Sequence, residues 1–146
     1  MNRYADLKQR QHKEFSAFPI QFAFSDQQFV EGMAALGLKP TDTDKVYKIS
    51  GGGFYRKEDS PRLKEMLDRF DRELQEAIAA DPTGEGFIYE MFLTELNNHE
   101  FGYTMDRSEA LDALGYTADE VLSDPRLNRG IEKAATEICR WVEQRG

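Results

Sequence analysis

The segment 87–96 most constrains the fold, because apolar side chains occupy nearly every side of it. A helix with a single apolar stripe rests on one surface, whereas a helix that is apolar all round is surrounded by other elements. The apolar residues of this segment are Phe87, Ile88, Met91, Phe92, Leu93 and Leu96. The sequence therefore predicts a central buried helix at 87–96.

Two amphipathic segments are predicted to wrap this central helix. Residues 62–79 and 126–144 repeat apolar side chains at helical spacing, which is typical of helices that pack on a core. The first stripe contains Leu63, Met66, Leu67, Phe70, Leu74 and Ile78, and the second contains Leu127, Ile131, Ala134, Ile138, Trp141 and Val142. Ser60, followed by a proline at the first helical position, is expected to cap the first of these helices.

Shorter helices and a small sheet complete the predicted fold. Helices are expected at 3–15 and near 108–114. Two more are expected after the capping residues Ser25 and Thr117. The helix after Ser25 should direct its apolar side chains inward: Phe29, Val30, Met33 and Leu36. Apolar alternation predicts a short strand at 20–24 and a hairpin at 45–57, where three glycines turn the chain. The expected fold class is mainly α (α+β), a compact helical domain with a small β-hairpin, and residues 1–146 are expected to form a single domain.

Cysteine and histidine are too few to support the common catalytic and metal-binding motifs. Cys139 is the only cysteine, which excludes an internal disulfide and a cysteine-based zinc site, and it is expected to be a small buried apolar residue. His99 has no second histidine at the spacing of a zinc protease motif. We therefore expect no catalytic residue, no metal and no cofactor, although carboxylates that could act as an acid–base pair are plentiful.

No part of the sequence indicates a membrane or secreted protein. No apolar run approaches the ~18 residues that a membrane span requires, and the first fifteen residues are polar, without the apolar stretch of a signal peptide. A cytoplasmic location without membrane contact is expected.

The net charge of −8 is concentrated in the middle of the chain. Residues 65–124 contain 3 Lys/Arg against 16 Asp/Glu. Four acidic residues lie off the apolar stripe of the helix 62–79 and are expected to face solvent or a partner: Glu65, Asp68, Glu73 and Glu76. Such a surface repels nucleic acid and attracts a host protein with a basic surface. The alternative is an ordinary solvated acidic surface.

Two further segments are candidates for binding. The segment 97–104 mixes aromatic and polar side chains, as binding loops do; its candidate partner-binding residues are Asn98, His99, Glu100, Phe101 and Tyr103. In the alternative interpretation, Phe101 and Tyr103 fill the core. The hairpin 45–57 interleaves Lys45, Lys48, Arg56 and Lys57 with Tyr47, Phe54 and Tyr55. Such a surface could clamp single-stranded nucleic acid, or its aromatic rings could pack on the core.

Three motifs between residue 89 and about residue 135 resemble a family of small uncharacterised proteins from phages and mobile elements of gut Firmicutes. The motifs begin at Glu95 (ELNNHEFGYT), at Ala110 (ALDALGYT) and at Ser123 (SDPRL). The resemblance covers about a third of the chain and brings no catalytic residue with it. It implies an accessory protein of a mobile element that manages host defences, similar in style to anti-CRISPR proteins.

Two functions are therefore expected from the sequence. The first is a non-enzymatic protein binder that inhibits a host nucleic-acid-targeting defence enzyme, with its carboxylates placed where a nucleic-acid backbone would lie. The second is a nucleic-acid or regulator-binding module that uses the hairpin 45–57.

Overall fold

The computed structural model describes residues 1–145, which form a mainly helical protein with a small antiparallel sheet, as the sequence predicts. The strands are β1 (Ile20–Phe22), β2 (Val46–Ile49) and β3 (Gly53–Arg56). The α-helices are α1 (Arg3–Ser16), α2 (Asp26–Ala35), α3 (Ser60–Ala79), α4 (Phe87–Asn98), α5 (Phe101–Thr104), α6 (Ser108–Leu114), α7 (Ala118–Ser123) and α8 (Pro125–Arg145).

The chain divides into two compact units. One contains Met1–Gln9 together with Glu73–Gly146, and the other is Arg10–Arg72. Helices α1 and α3 contribute residues to both units. The single-domain organisation of 1–146 stays a prediction.

The unit that contains Met1–Gln9 and Glu73–Gly146, which we call the C-terminal unit, is built around α4, as predicted. Ile88, Met91, Phe92 and Leu96 have no exposed surface, and they pack with the apolar side of α8 in one continuous core. Glycine at position 130 allows the start of α4 to approach α8 closely. A Cβ atom there would lie 2.6 Å from the Ile88 side chain and 2.7 Å from the carbonyl oxygen of Gly84.

The turn before α4 is organised by the buried carboxylate of Asp81, which is only 6% exposed. One of its oxygens accepts hydrogen bonds from the amides of Thr83 (3.2 Å) and Gly84 (3.0 Å). The other accepts from Gly86 (3.1 Å) and Ile88 (3.0 Å). A buried charge is tolerated only when such bonds replace its hydration, so this carboxylate fixes the conformation of the turn and the first residues of α4.

Basic side chains of α8 bind the same turn from the other side. Arg126 donates hydrogen bonds to the carbonyl oxygens of Ile78 and Asp81, at 3.1 and 2.7 Å, and Arg129 donates to that of Thr83 at 2.7 Å. The Ile78 carbonyl also accepts from the Asp81 amide, at 3.2 Å, and the arginine side chains provide further hydrogen bonds to carbonyl groups at the end of α3 and in the turn. They hold the turn against the start of α8.

In the unit Arg10–Arg72, the strands form an antiparallel sheet in the order β1-β3-β2. Phe54 of β3 packs with Met33 of α2 on one face, and the neighbouring Tyr55 packs with Leu63 and Met66 of α3 on the other. Helix α2 thus covers one face of the sheet, and α3 covers the other together with Phe15 of α1. The hairpin is confirmed, and the short strand predicted at 20–24 is confirmed but ends at Phe22.

Several local predictions were confirmed. Ser25 caps α2 by accepting a hydrogen bond from the Gln28 amide at 3.2 Å. Thr117 and Glu120 form the reciprocal cap of α7. Beyond these predictions, Gly37 and Gly115 follow the ends of α2 and α6 with positive φ angles of 76° and 77°, a conformation that glycine adopts without steric cost.

Other local predictions were wrong. Val30, Leu67 and Val142 were expected on buried stripes but are 44–45% exposed, because each lies at the edge of its stripe. Ser60 is not a cap, since a 3₁₀ turn at Lys57–Asp59 runs directly into α3 and the Ser60 amide already bonds to the Lys57 carbonyl. Cys139 is half-buried rather than buried.

We predict that Phe92→Ala lowers the free energy of unfolding by about 3–5 kcal/mol, because it leaves a large cavity on a helix surrounded by packed side chains. Chemical denaturation monitored by circular dichroism measures the change. A loss below about 1 kcal/mol would contradict the central position of α4.

We predict that Asp81→Asn lowers the free energy of unfolding by about 2–4 kcal/mol at pH 7, because an amide offers one acceptor oxygen where the carboxylate offers two. Burial opposes the charge of Asp81, but the hydrogen bonds from Ile88, Gly84, Thr83 and Gly86 outweigh it and hold the pKa below its ordinary value.

The pH dependence of this difference follows from the lowered pKa. The charge of Asp81 stabilises the fold fully above the unfolded-state pKa of about 3.9. That stabilisation is lost as the pH falls through the lower, folded-state pKa. Denaturation of both proteins between pH 7 and pH 3 should show the difference shrinking only in acid, and a difference that is the same at all pH values would contradict a charged Asp81.

Candidate functional site

The four acidic residues predicted on α3 do not form a uniform exposed surface. Glu65, Asp68 and Glu76 are exposed, whereas Glu73 is half-buried. Asp68 forms an ion pair of 2.7 Å with Lys64, so part of the acidic charge is neutralised on the same helix. Glu65 and Asp68 belong to the unit Arg10–Arg72, and Glu73 and Glu76 belong to the other.

The structure separates the two aromatic side chains of the segment 97–104. Phe101 is buried, at 3% exposure, whereas Tyr103 is 85% exposed and the nearby Met105 is 60% exposed. The interpretation that both aromatic rings fill the core is therefore right for Phe101 and wrong for Tyr103. Asn98 is the exposed last residue of α4, and only residues after it leave the helix.

Residues 100–106, which include the one-turn helix α5 and which we call the acidic loop, are mostly exposed but have a defined set of backbone contacts. Glu100 and Met105 both have a φ of 59°, a left-handed conformation that costs free energy in residues other than glycine. The Met105 amide bonds to the Phe101 carbonyl at 2.8 Å. The Asp106 side chain accepts two hydrogen bonds from Ser108, at 2.9 and 2.6 Å. The loop is therefore a defined structure rather than an irregular connection.

Packing beneath the acidic loop supports this conformation. The buried Phe101 ring has the Arg107 guanidinium 5.8 Å from its centroid, and Arg107 also forms a 2.8 Å ion pair with Glu132 of α8. A Cβ atom at position 102 would lie 3.1 Å from Val142 and 3.3 Å from Ile138, so the backbone lies directly on α8.

The surroundings of the acidic loop in the sequence are strongly negative. Residues 100–120 contain six acidic residues and one basic residue, Arg107. Because Arg107 is paired with Glu132, it does not offset the exposed carboxylates of Glu100 and Asp106. Hydrogen bonds from the Ser108 side chain and amide hold the pKa of Asp106 below its ordinary value, which keeps it charged.

His99 lies between two carboxylates. Its Nε2 atom is 3.5 Å from Glu95, one turn earlier in α4, and its Nδ1 atom is 3.7 Å from Glu109 of α6. Glu95 also accepts a 2.8 Å hydrogen bond from the Tyr4 hydroxyl. Burial and this hydrogen bond raise the pKa of Tyr4. The cluster ties α1, α4 and α6 together beside the acidic loop, and His99 is half-buried in it.

The hairpin 45–57 offers less binding surface than its composition suggests. Phe54 and Tyr55 are buried, and only Tyr47 remains exposed, at 46%. Arg56 pairs with Glu58 and Asp59. Lys45 pairs with Asp42, and the Lys57 ammonium lies 5.1 Å from the Tyr47 ring centroid. Lys48 has no polar partner within residues 1–145.

A groove that the sequence did not predict lies at the turn end of this hairpin. Phe24 and Ile49, which are 79% and 37% exposed, line it together with Lys48. Phe29 and Phe54, whose ring centroids are 5.1 Å apart, also line it. The sequence contained a signal in the alternating Ile20, Phe22 and Phe24, but it could not show that only the first of these packs inward.

The described residues contain neither a cluster of metal-ligating side chains nor a membrane-length helix. Within residues 1–145, no three histidine, cysteine, aspartate or glutamate side chains are placed to hold a metal ion. None of the helices in the same range is both long and apolar enough to cross a membrane.

Sequence comparison assigns the chain to a family. The family model for DUF7659, a family of unknown function, matches residues 3–137, and the chain belongs to this family. No curated protein and no solved structure matches the chain.

Proposed function

We propose that this protein is a non-catalytic binding protein that docks on another protein through the acidic loop. The observation that carries the proposal is the exposure of Tyr103 and Met105, at 85% and 60%, on a loop that hydrogen bonds and packing hold in place. Large apolar side chains presented on a fixed backbone are the usual anchors of protein interfaces.

The size and rigidity of these side chains favour binding. Burying a side chain of this size against a partner is worth about 1.5–3 kcal/mol. Tyrosine loses little conformational entropy on binding, and methionine adapts to irregular surfaces. Because the backbone of the loop is already ordered, little further entropy is lost when a partner binds.

The charge around the loop indicates the kind of partner. Exposed Glu100 and Asp106 flank Tyr103 and Met105 and attract a surface rich in lysine and arginine. A cation of the partner could also rest on the Tyr103 ring. Nucleic acid would be repelled by the same carboxylates, so a protein with a basic surface is the favoured partner.

The resemblance to proteins of phages and mobile elements suggests where this partner is found. We propose a cytoplasmic host enzyme that acts on nucleic acid, because the channels of such enzymes are basic. In this anti-CRISPR-like role the acidic loop would occupy part of the channel. The exposed Glu65, Asp68 and Glu76 of α3 would contribute to long-range attraction rather than to a continuous contact surface.

We predict that Tyr103→Ser and Glu100→Lys each weaken capture of the partner at least tenfold while leaving the fold intact. Both side chains are exposed, so neither change should cost much stability. Immobilised protein is incubated with a host lysate at low and at high salt, and captured proteins are quantified by mass spectrometry. The partner should be basic, and its capture should fall steeply with salt.

Matched control variants lie on the same unit. Leu122→Ser removes another exposed apolar side chain, which is 69% exposed on α7, and Glu143→Lys reverses an exposed charge near the end of α8. Both controls should capture the partner as the unmodified protein does. Equal losses in controls and loop variants, or capture that does not respond to salt, would contradict the proposal.

A further inference from the structure

We propose that the groove at the turn end of the hairpin is a second binding site, which accepts a protein segment with a large apolar side chain next to an acidic one. This site lies in the unit Arg10–Arg72 and is independent of the acidic loop. Its walls supply apolar surface, and Lys48 supplies a single positive charge.

The groove is a formed structure with an apolar lining. Phe29 and Phe54, themselves part of the core between α2 and the sheet, line the groove. The exposed side chains of Phe24 and Ile49 line it as well. An aromatic or aliphatic side chain entering it would cover apolar surface that is now in contact with water, which favours association.

Two glycines keep the groove open. Gly52 has a φ of 80°, and a Cβ atom there would lie 2.8 Å from the Ala23 carbonyl oxygen and 3.2 Å from the Phe24 ring. A Cβ atom on Gly53 would lie 2.6 Å from Ile49 and 3.0 Å from Phe22. Because these positions carry no side chain, Phe22, Phe24 and Ile49 can converge on the turn and leave their outer surfaces exposed.

Apolar surface continues beyond the groove itself. Phe22, which is 51% exposed, pairs with Gly53 as Ile49 does, so both lie at the turn end on the other face of the sheet. Tyr47, which is 46% exposed, lies on the same face nearer the opposite end. Three large apolar side chains, Phe22, Phe24 and Ile49, are therefore exposed at the turn end of a three-stranded sheet. Such concentrations of exposed apolar surface mark interaction sites.

The charges at the groove select the polar part of the ligand. Lys48 is exposed and has no partner within residues 1–145, whereas Lys45, Arg56 and Lys57 are engaged with other groups. The groove also contains one carboxylate, Asp26, which occupies the first turn of α2, where the helix dipole stabilises it. One available cation matches one carboxylate of a ligand.

The same count of cations disfavours nucleic acid. A nucleic-acid strand carries one phosphate per nucleotide and requires several available cations along its path. A segment of a different protein with alternating apolar and acidic residues satisfies both parts of the groove.

Selection from a random dodecapeptide library against the immobilised full-length chain tests the proposal. Enriched peptides should place a large apolar residue beside aspartate or glutamate. The most enriched peptide should bind Lys48→Glu at least tenfold more weakly in fluorescence anisotropy, and changing its acidic residue to lysine should restore binding to that variant. Phe24→Ser should also weaken binding, and its melting temperature should be unchanged because Phe24 is exposed.

Lys45→Glu is the matched control, because Lys45 lies in the same region but outside the groove lining. It should bind the peptide normally, and so should Tyr103→Ser, which separates this site from the acidic loop. The proposal is overturned if no acidic–apolar peptide is enriched, or if Lys45→Glu and Lys48→Glu weaken peptide binding equally. Tighter binding of an oligothymidylate of about fifteen nucleotides than of the peptide would also overturn it. Self-association that Phe24→Ser abolishes, without peptide binding, would also overturn it.

Discussion

The buried carboxylate of Asp81 is the interaction on which the C-terminal unit depends. Its four hydrogen bonds fix the turn that starts α4, and Arg126 and Arg129 of α8 bind carbonyl groups of the same turn. Backbone amides take the place of water around this buried negative charge, and they can do so only in one conformation of the turn. That conformation sets how α4 enters the core and how closely it approaches α8.

The position of the acidic loop depends on this arrangement. Helix α4 ends just before the loop, and the backbone at Gly102 lies on α8, so both supports of the loop belong to the helix pair that Asp81 organises. The cost of two left-handed residues, about 1–3 kcal/mol each, is tolerated because this packing stabilises the conformation of the loop. A fixed loop that keeps Tyr103 and Met105 in water is costly for stability alone, and it is useful if a partner covers them.

The sequence predicted those parts of the fold that local patterns determine. Apolar periodicity located α4 and α8, and capping residues located the starts of α2 and α7, because these signals act within a few residues. It could not show that Asp81 is a buried acceptor rather than an ordinary turn residue, since the amides come from as far as Ile88. Nor could it separate Phe101 from Tyr103, or reveal the groove, because both depend on distant elements that cover one ring and leave another exposed.

The most direct test of the account is amide hydrogen exchange of the free protein across the acidic loop. The account predicts that the Met105 amide, bonded to the Phe101 carbonyl, exchanges at least about a hundredfold more slowly than an unstructured amide, which corresponds to about 2.7 kcal/mol of local stability. The surface would then be formed before any partner binds. Exchange of the loop amides at the rate of an unfolded chain would contradict a preformed binding surface.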